Sequence, residues 1–359
     1  MFAEHRRSLI LQRIARDGMV RVADLVNESG MNAMTIRRDL TALENAGRLR
    51  RVYGGATATA QRGVRQQRRI GLMVPDTNSY YGPVVKGAEQ AARRFGGQLV
   101  LATYFPMANL DHERLERLIE LDLDALILTP EPLRRPIEGW SDIDHDAPLV
   151  TDALLRRLIG GLRRPVVLLE RDFPMGVRVP NLGVVRSAHD RGAFLAVQHF
   201  HRLGHRRVLV AVRSTVTAPS ILAGATHAAV ALGIQVDVHR VASEADVVEL
   251  ATVCRTGAHG ALLLHPDPFA RHLVDRLREH DIQTPRDIHV ITYNDLQASN
   301  SLVPLSAVAP AKEELGFEAV RMALRQIDSP TQRTVHRLIL EPQLVLRDST
   351  PPVRSAARV

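Results

Sequence analysis

Asn32, Thr35, Arg37, Arg38 and Thr41, followed by Arg50, Arg51 and Tyr53, are residue types that bond phosphates and base edges, and their spacing groups them on two adjoining elements. Ile36, Leu40 and Leu43 recur at helical spacing and make a buried stripe, which turns Met34, Arg38 and Thr41 outward with Thr35 and Arg37 on the flanks. Asn32 is placed to cap the helix start through its side-chain oxygen, and Asn45-Ala46-Gly47 to stop it. Arg48, Arg50, Arg51 and Tyr53 then alternate in a short extended run ending on Gly54-Gly55. An outward-facing arginine helix beside a basic hairpin fits a major groove and its flanking phosphates. The alternative is a solvated amphipathic helix with an ordinary hairpin.

A second set of polar residues sits where apolar runs end. Ile70 to Val74, Gln98 to Thr103, Ala125 to Leu128, Pro165 to Leu169, Leu182 to Val185, Arg207 to Val212, Gly260 to Leu264 and Ile288 to Thr292 read as strands, mostly separated by helical stretches, which implies α/β architecture with parallel sheets. In such sheets ligands bind beyond the carboxyl ends of the strands. Those ends carry Asp76, Thr77, Asn78, Tyr80 and Tyr81; Thr129; Glu170, Arg171 and Asp172; His265 and Asp267; and Tyr293, Asn294 and Asp295. Carboxylates, amides, hydroxyls and aromatic rings together suit a polyol, sugar or nucleoside-like ligand. Asp76 and Thr77 serve equally well as caps of the following helix.

The elements that must position the first set lie upstream. Glu4 to Asp17 carries Leu9, Ile10 and Ile14 on one helical face. Val22 to Ser29 is a second short helix, closed by Gly30 in a tight turn. Helix, helix, turn, helix and hairpin make a winged helix-turn-helix. The run Met34-Thr-Ile-Arg-Arg-Asp-Leu40, with Leu43-Glu44, Gly47, Leu49, Arg51 and Gly54-Gly-Ala56, resembles the DNA-binding domain of the DeoR family of bacterial regulators. Tyr53 stands where that family usually has histidine, and Asn32 where serine is common.

Charge agrees. Residues 1–69 hold fourteen arginines, no lysine and six acidic residues, a surplus of eight that equals the +8 of the whole chain. The other 290 residues are therefore neutral. A basic excess confined to one small module suits a polyanion partner. The module lacks the broad Trp/Phe/Leu face of an interfacial helix, which argues against a membrane surface. One cysteine, Cys254, excludes an internal disulfide, and neither a signal peptide nor a membrane span is legible, so a cytoplasmic protein is expected.

Several segments beyond residue 69 resemble the effector-binding domain of LacI-family repressors, which has the fold of periplasmic sugar-binding proteins. They are Ile70 to Asp76 with Asn78, Ala125 to Pro130, Pro165 to Arg171, His199 to Arg207, Thr284 to Ile288, Tyr293-Asn-Asp295, Glu314-Leu-Gly316 and Leu346 to Thr350. The resemblance implies two similar lobes crossed by three strands, with ligand clamped between them. By motif position it implies that Tyr80 and Tyr81 stack on ligand and that Glu170, Thr217, Asp267 and Asn294 supply polar contacts. Three departures stand out. Ile221 replaces an arginine that often grips ligand, Pro266-Asp267 replaces an Asn-Asp pair, and the stretch around Trp140 looks inserted near the cleft.

The expected organisation is a winged helix-turn-helix over 1–57, a linker over 58–69, a two-lobed effector domain over 70–348 and a disordered tail over 349–359. The linker does not resemble the hinge helix of LacI-type repressors. The expected partners are a double-stranded DNA operator, a small sugar-like effector and a second copy of the chain, because one winged helix contacts too few base pairs for genomic specificity. No cofactor is expected. Neither G-x-G-x-x-G after a strand, a Walker loop nor a G-x-S-x-G elbow occurs, which disfavours an enzyme; a cytoplasmic sugar-binding protein is the other alternative. His201 and His205 have metal-ligand spacing beside His199, but Gly204 breaks that helix, so no metal site is expected. The reading is a DNA-binding regulator, by family habit a repressor.

Overall fold

The computed structural model describes residues 3–45, 48–57, 67–77, 80–103, 116–130, 162, 164–172, 182–213, 215–256, 259–265, 268–328 and 335–351. They fall into two compact units, Met1–Gln67 and Arg68–Val359.

The first unit runs α1 (Ala3–Asp17), β1 (Met19–Arg21), α2 (Val22–Ser29), α3 (Ala33–Asn45), β2 (Arg50–Val52) and β3 (Gly55–Thr57). Its strands form one antiparallel sheet in the order β1-β3-β2, the winged helix-turn-helix arrangement. Ile10, Ile14, Val20, Leu25, Ile36, Leu40, Leu43, Leu49 and Ala56 make the core. One face of α1 differs from expectation. Leu9 is exposed, and Leu11 packs against the core beside Ile10 and Ile14. Gly30 ends α2 in the left-handed conformation, its N–H bonded to Val26 O, and Gly54 at φ +79° turns the wing as few other residues would.

The second unit contains two parallel sheets. Lobe 1 orders its strands β14-β8-β7-β6-β4-β5, where β4 is Arg68–Val74, β5 Gly97–Thr103, β6 Ala125–Leu128, β7 Val166–Leu169, β8 Leu182–Ser187 and β14 His336–Leu340. Lobe 2 orders them β10-β9-β11-β12-β13-β15, where β9 is Arg207–Val212, β10 Gln235–Arg240, β11 Ala261–His265, β12 His289–Tyr293, β13 Ser306–Ala309 and β15 Gln343–Val345. All pairings in lobe 1 are parallel; in lobe 2 only β13 with β15 is antiparallel. The helices are α4 (Tyr81–Arg94), α5 (His189–Arg202), α6 (Ala218–Leu232), α7 (Glu244–Thr256), α8 (Pro268–Glu279) and α9 (Lys312–Asp328), with residues 116–120 also helical. Each sheet carries an apolar cluster on both faces, which is why its strands read as almost unbroken apolar runs.

The chain crosses between lobes three times: from β8 into α5, from β13 into α9 and from β14 into β15. Lobe 1 is thus finished by α9 and β14, which come after all but one strand of lobe 2. Helices α4 and α9 meet backbone to backbone. A Cβ on Gly87 would lie 1.8 Å from Glu313 O, and one on Gly316 would lie 1.8 Å from Val84 O.

Both expected boundaries of this unit move outward. Arg68 and Arg69, read as linker, already belong to β4 and pair with Gly97 and Gln98. Ser349 and Thr350, read as the start of a disordered tail, are buried, because Ser349 Oγ donates to Val290 O and accepts from Ser306 N, while Thr350 Oγ1 lies 2.7 Å from Ser306 Oγ. Most of the linker, Ala46-Gly47 and the insertion around Trp140 lie outside the described residues. No helix among the described residues is long and apolar enough to cross a membrane. Burial pushes the Cys254 thiol up to about 12, leaving it an inert core residue.

Candidate functional sites

The basic helix is held by a cap and a clamp. Asn32 Oδ1 accepts from Thr35 N at 2.8 Å and from Thr35 Oγ1 at 2.9 Å, the cap expected from the sequence. Both polar groups are thereby used on each other. Asp39 is buried on the opposite face and accepts from Arg6 Nε and, at 2.9 Å, from Arg7 Nε, pinning α3 to α1. Burial alone would raise the Asp39 pKa, yet the two guanidiniums outweigh it and hold the carboxyl below its usual range. Arg37 and Arg38 are exposed and make no side-chain bond among the described residues. Met34, 75% exposed, stands one turn before Arg38.

The wing is braced to the same helix. Arg51 Nη1 donates to Thr41 Oγ1 at 3.1 Å, its backbone N–H donates to Glu44 Oε1 at 2.9 Å, and Thr41 Oγ1 donates to Arg37 O at 2.9 Å. These bonds tie α3 to the hairpin, and the Arg51 side chain is still exposed. Tyr53 stands fully exposed at the wing tip, 108% relative to a reference chain. Arg50 lies in β2; its side chain is outside the described residues.

The second site is a cavity of about 180 Å³ within unit two. Lobe 1 lines it with Tyr80, Tyr81, Glu170 and Arg171, and lobe 2 with His189, Thr215, Val216, Thr217, His265 and Asn294. Its volume is below the roughly 300–1,000 Å³ of pockets for drug-sized ligands, a size for a small metabolite. Tyr80 and Tyr81 meet edge to face, ring centroids 5.3 Å apart, as one aromatic wall.

Glu170 organises the lobe 1 side. Its Oε1 accepts from Tyr80 Oη at 2.5 Å and from Ser187 Oγ at 2.7 Å; its Oε2 accepts from Ser187 N at 3.0 Å and lies 3.4 Å from His189 Nε2. Burial opposes the charge, but His189 and these hydrogen bonds bring the carboxyl pKa down to about 2. Burial, and then the Glu170 charge, push the Tyr80 phenol far above its ordinary value. Arg171 donates to Pro130 O at 2.8 Å and to Glu170 O at 2.7 Å.

On the lobe 2 side Tyr293 Oη donates to His189 O at 3.0 Å and lies 3.3 Å from His189 Nδ1. Lys312 Nζ, in the crossover into α9, donates to Asn294 O and lies 5.8 Å from the centroid of the Tyr80 ring. Glu170 at φ +54° and Asn294 at φ +93° follow corresponding strands of the two lobes in a conformation L-residues rarely adopt. Such positions cluster at binding sites.

Of the expected contacts, Tyr80, Tyr81, Glu170, Arg171, Thr217 and Asn294 converge on this cavity. Thr129 is buried with its hydroxyl on Met73 O at 2.9 Å, and Asp76 is half-buried after β4; neither is among the lining residues. Asn78 and Asp267 lie outside the described residues. Ile221 is fully buried in the lobe 2 core, so the position that often carries a ligand-gripping arginine is spent on packing. Sequence reasoning missed His189, Thr215 and Val216 as walls, and it noted His265 only as a strand-end residue without assigning it a contact.

A capped, basic helix with a braced wing and a two-lobed domain with a small cavity between its lobes define a class, the DNA-binding regulators that sense a metabolite. Comparison with known proteins agrees. The chain carries a DeoR-like helix-turn-helix domain over residues 6–62 and a periplasmic binding protein-like domain over residues 197–350. It is 24% identical over 346 residues to the arabinose metabolism transcriptional repressor of Geobacillus stearothermophilus, covering 92% of this chain and 90% of that one. To the ribose operon repressor of Haemophilus influenzae it is 24% identical over 296 residues, 80% and 82% of the two chains. Among solved structures, the transcriptional regulator CelR in complex with cellobiose has a TM-score of 0.64 at 22% identity, covering 89% of this chain and 92% of that chain. A LacI family transcriptional regulator from Enterococcus faecium with bound ribose has a TM-score of 0.62 at 19% identity, covering 80% and 100%. The chain is a transcriptional regulator that pairs a DeoR-type reader with a periplasmic-binding-protein-like sensor.

Proposed function

We propose that this regulator represses genes of sugar metabolism as a dimer and changes its hold on operator DNA when a small sugar occupies the cavity between its lobes. The observation that carries this is one chain holding both an arginine helix with Arg37 and Arg38 free among the described residues and a tyrosine-walled cavity between two lobes joined by three connections. Arg38 reads a base edge, and Arg37, Arg50 and Tyr53 engage the backbone and the wing's groove. Asn32, Thr35, Thr41 and Arg51 hold that surface in shape. Tyr80 and Tyr81 stack on the sugar, and Thr217, Asn294 and the strand-end residues Asn78 and Asp267 bond its hydroxyls. Relatives named for arabinose and ribose, and a fold neighbour with bound ribose, support this ligand class. A dimer matches two half-sites about one helical turn apart, which a single module cannot cover.

The test is a footprint of the full-length protein on DNA from upstream of its own gene, with D-ribose, L-arabinose and cellobiose added in turn. Protection of a two-fold symmetric site that one of these sugars alters is the expected result. Protection that no sugar alters counts against the sensing half, and no protection counts against the operator assignment.

A further inference from the structure

Among the described residues, two side chains on the cavity wall carry a buried nitrogen without a hydrogen bond: His189 Nε2, which faces the Glu170 carboxylate at 3.4 Å, and His265 Nδ1, which has no ion-pair partner. His265 ends β11, is 3% exposed, and sets its ring edge-on to Tyr293 with centroids 5.5 Å apart. Its Nδ1 is buried without a hydrogen-bond partner among the described residues. Most of its neighbours are spoken for. The Glu170 carboxylate contacts Tyr80, Ser187 and His189, the Thr215 and Thr217 hydroxyls lie 3.1 Å from each other, and Arg171 donates to two carbonyl oxygens. Buried polar atoms are nearly always satisfied, so an exception on a cavity wall points to something that arrives later.

The chemistry of that arrival follows from the walls. Burial, helped by the nearby positive groups of His189 and Arg213, pushes His265 down to about 3, so the imidazole is neutral and carries one donor and one acceptor nitrogen. A hydroxyl matches either. Among the described walls Arg171 is the single arginine or lysine, and it faces carbonyls, while Glu170 is ionised. A phosphate or carboxylate would meet the ionised Glu170 carboxylate on this wall.

We propose that His265 is a specificity-determining contact of the sensor, hydrogen-bonding one hydroxyl of an uncharged cyclic polyol. This rests on the sensing role proposed above and narrows it to neutral sugars. A buried group built to bond a hydroxyl rejects the analogue lacking it far more strongly than an apolar wall rejects a change of size.

Calorimetric titration of the full-length protein tests this with D-ribose, L-arabinose, D-xylose, D-galactose, D-glucose and cellobiose, against D-ribose 5-phosphate and D-glucose 6-phosphate. The tightest neutral ligand is then compared with its monodeoxy analogues on wild type, His265→Ala and His265→Gln. The expected pattern is that a neutral sugar binds, and that one deoxy position costs wild type about tenfold or more. That penalty disappears in His265→Ala and partly returns in His265→Gln, whose amide also offers a donor and an acceptor. If His265→Ala does not fold, the same comparison between wild type and His265→Gln decides, a reduced deoxy penalty supporting the contact and an unchanged one overturning it. Neutral binding with equal affinity in all three proteins overturns the role of His265 and leaves sugar sensing standing. Binding of the phosphorylated sugars alone overturns the uncharged class. Binding of no sugar of either kind overturns the sensing reading and this contact together.

Discussion

Glu170 Oε2 stands 3.4 Å from His189 Nε2, so the residue after a lobe 1 strand touches the first residue of the first helix of lobe 2. Both groups are buried. The contact spans the first crossover between the lobes.

Acid should therefore loosen the sensor in a defined window. Burial lowers His265 to about 3 and His199 to about 4 from 6.5, so below pH 6.5 the unfolded chain takes up protons that the folded chain refuses. Glu170, held at about 2 against 4.5, adds stability above pH 4.5 that is lost as pH falls toward 2. Both effects run the same way. Each such histidine removes up to about 1.4 kcal/mol per pH unit below 6.5. Urea unfolding at pH 8, 7, 6 and 5 should show a plateau and then a decline beginning near 6.5. A flat profile down to pH 5 would mean that these imidazoles are not buried neutral.

Asp39→Ala should unsettle the reader without touching its DNA face. It leaves Arg6 and Arg7 without the carboxylate that ties α1 to α3, which should destabilise the unit. Limited proteolysis of the full chain should cut first within residues 1–57 of the variant. Wild-type resistance there would show that the clamp contributes little.

The two free arginines of α3 should part company when mutated. Arg38→Ala is expected to lose about 1–3 kcal/mol of discrimination between operator and unrelated DNA. Arg37→Ala should weaken both alike and reduce the salt dependence by about one phosphate contact. Equilibrium binding at several salt concentrations separates the two outcomes, and an unchanged operator affinity in both would remove this helix from the groove.

Asn294→Ala should keep operator affinity near wild type in the absence of sugar and blunt the response to it. Effectors shift an equilibrium only through differential affinity for its states, and Asn294 lines the cavity beside the crossover lysine that its carbonyl engages. Operator binding measured against effector concentration checks this; a wild-type midpoint would place the ligand elsewhere.

Local signals were read well and long-range ones poorly. The Asn32 cap and the Ile36–Leu40–Leu43 stripe depend on neighbours three or four residues away, so periodicity exposes them. The partner of Asp39 lies 33 residues upstream and that of Glu170 another 17 downstream, and no spacing rule links such pairs. Arg51 and Thr41, expected as groove contacts by residue type, also bond to each other and to Glu44 and Arg37 within the module, a bracing that residue type does not reveal. The edge strands β10 and β14 escaped notice because half their side chains face solvent, which dilutes the apolar run that marked the central strands. Ser349 and Thr350 resemble a polar tail in sequence. They are buried because the sheet's own Ser306 and Val290 need partners.

That last clasp has a consequence for how the protein comes off the ribosome. The described strands of the reader pair among themselves and lie within its own compact unit, which ends at Gln67. Lobe 1 waits for α9 and β14, and lobe 2 waits for β15 and Ser349, so neither can close its sheet until nearly the whole chain is made. During synthesis a finished DNA reader is thus tethered to a sensor that does not yet exist.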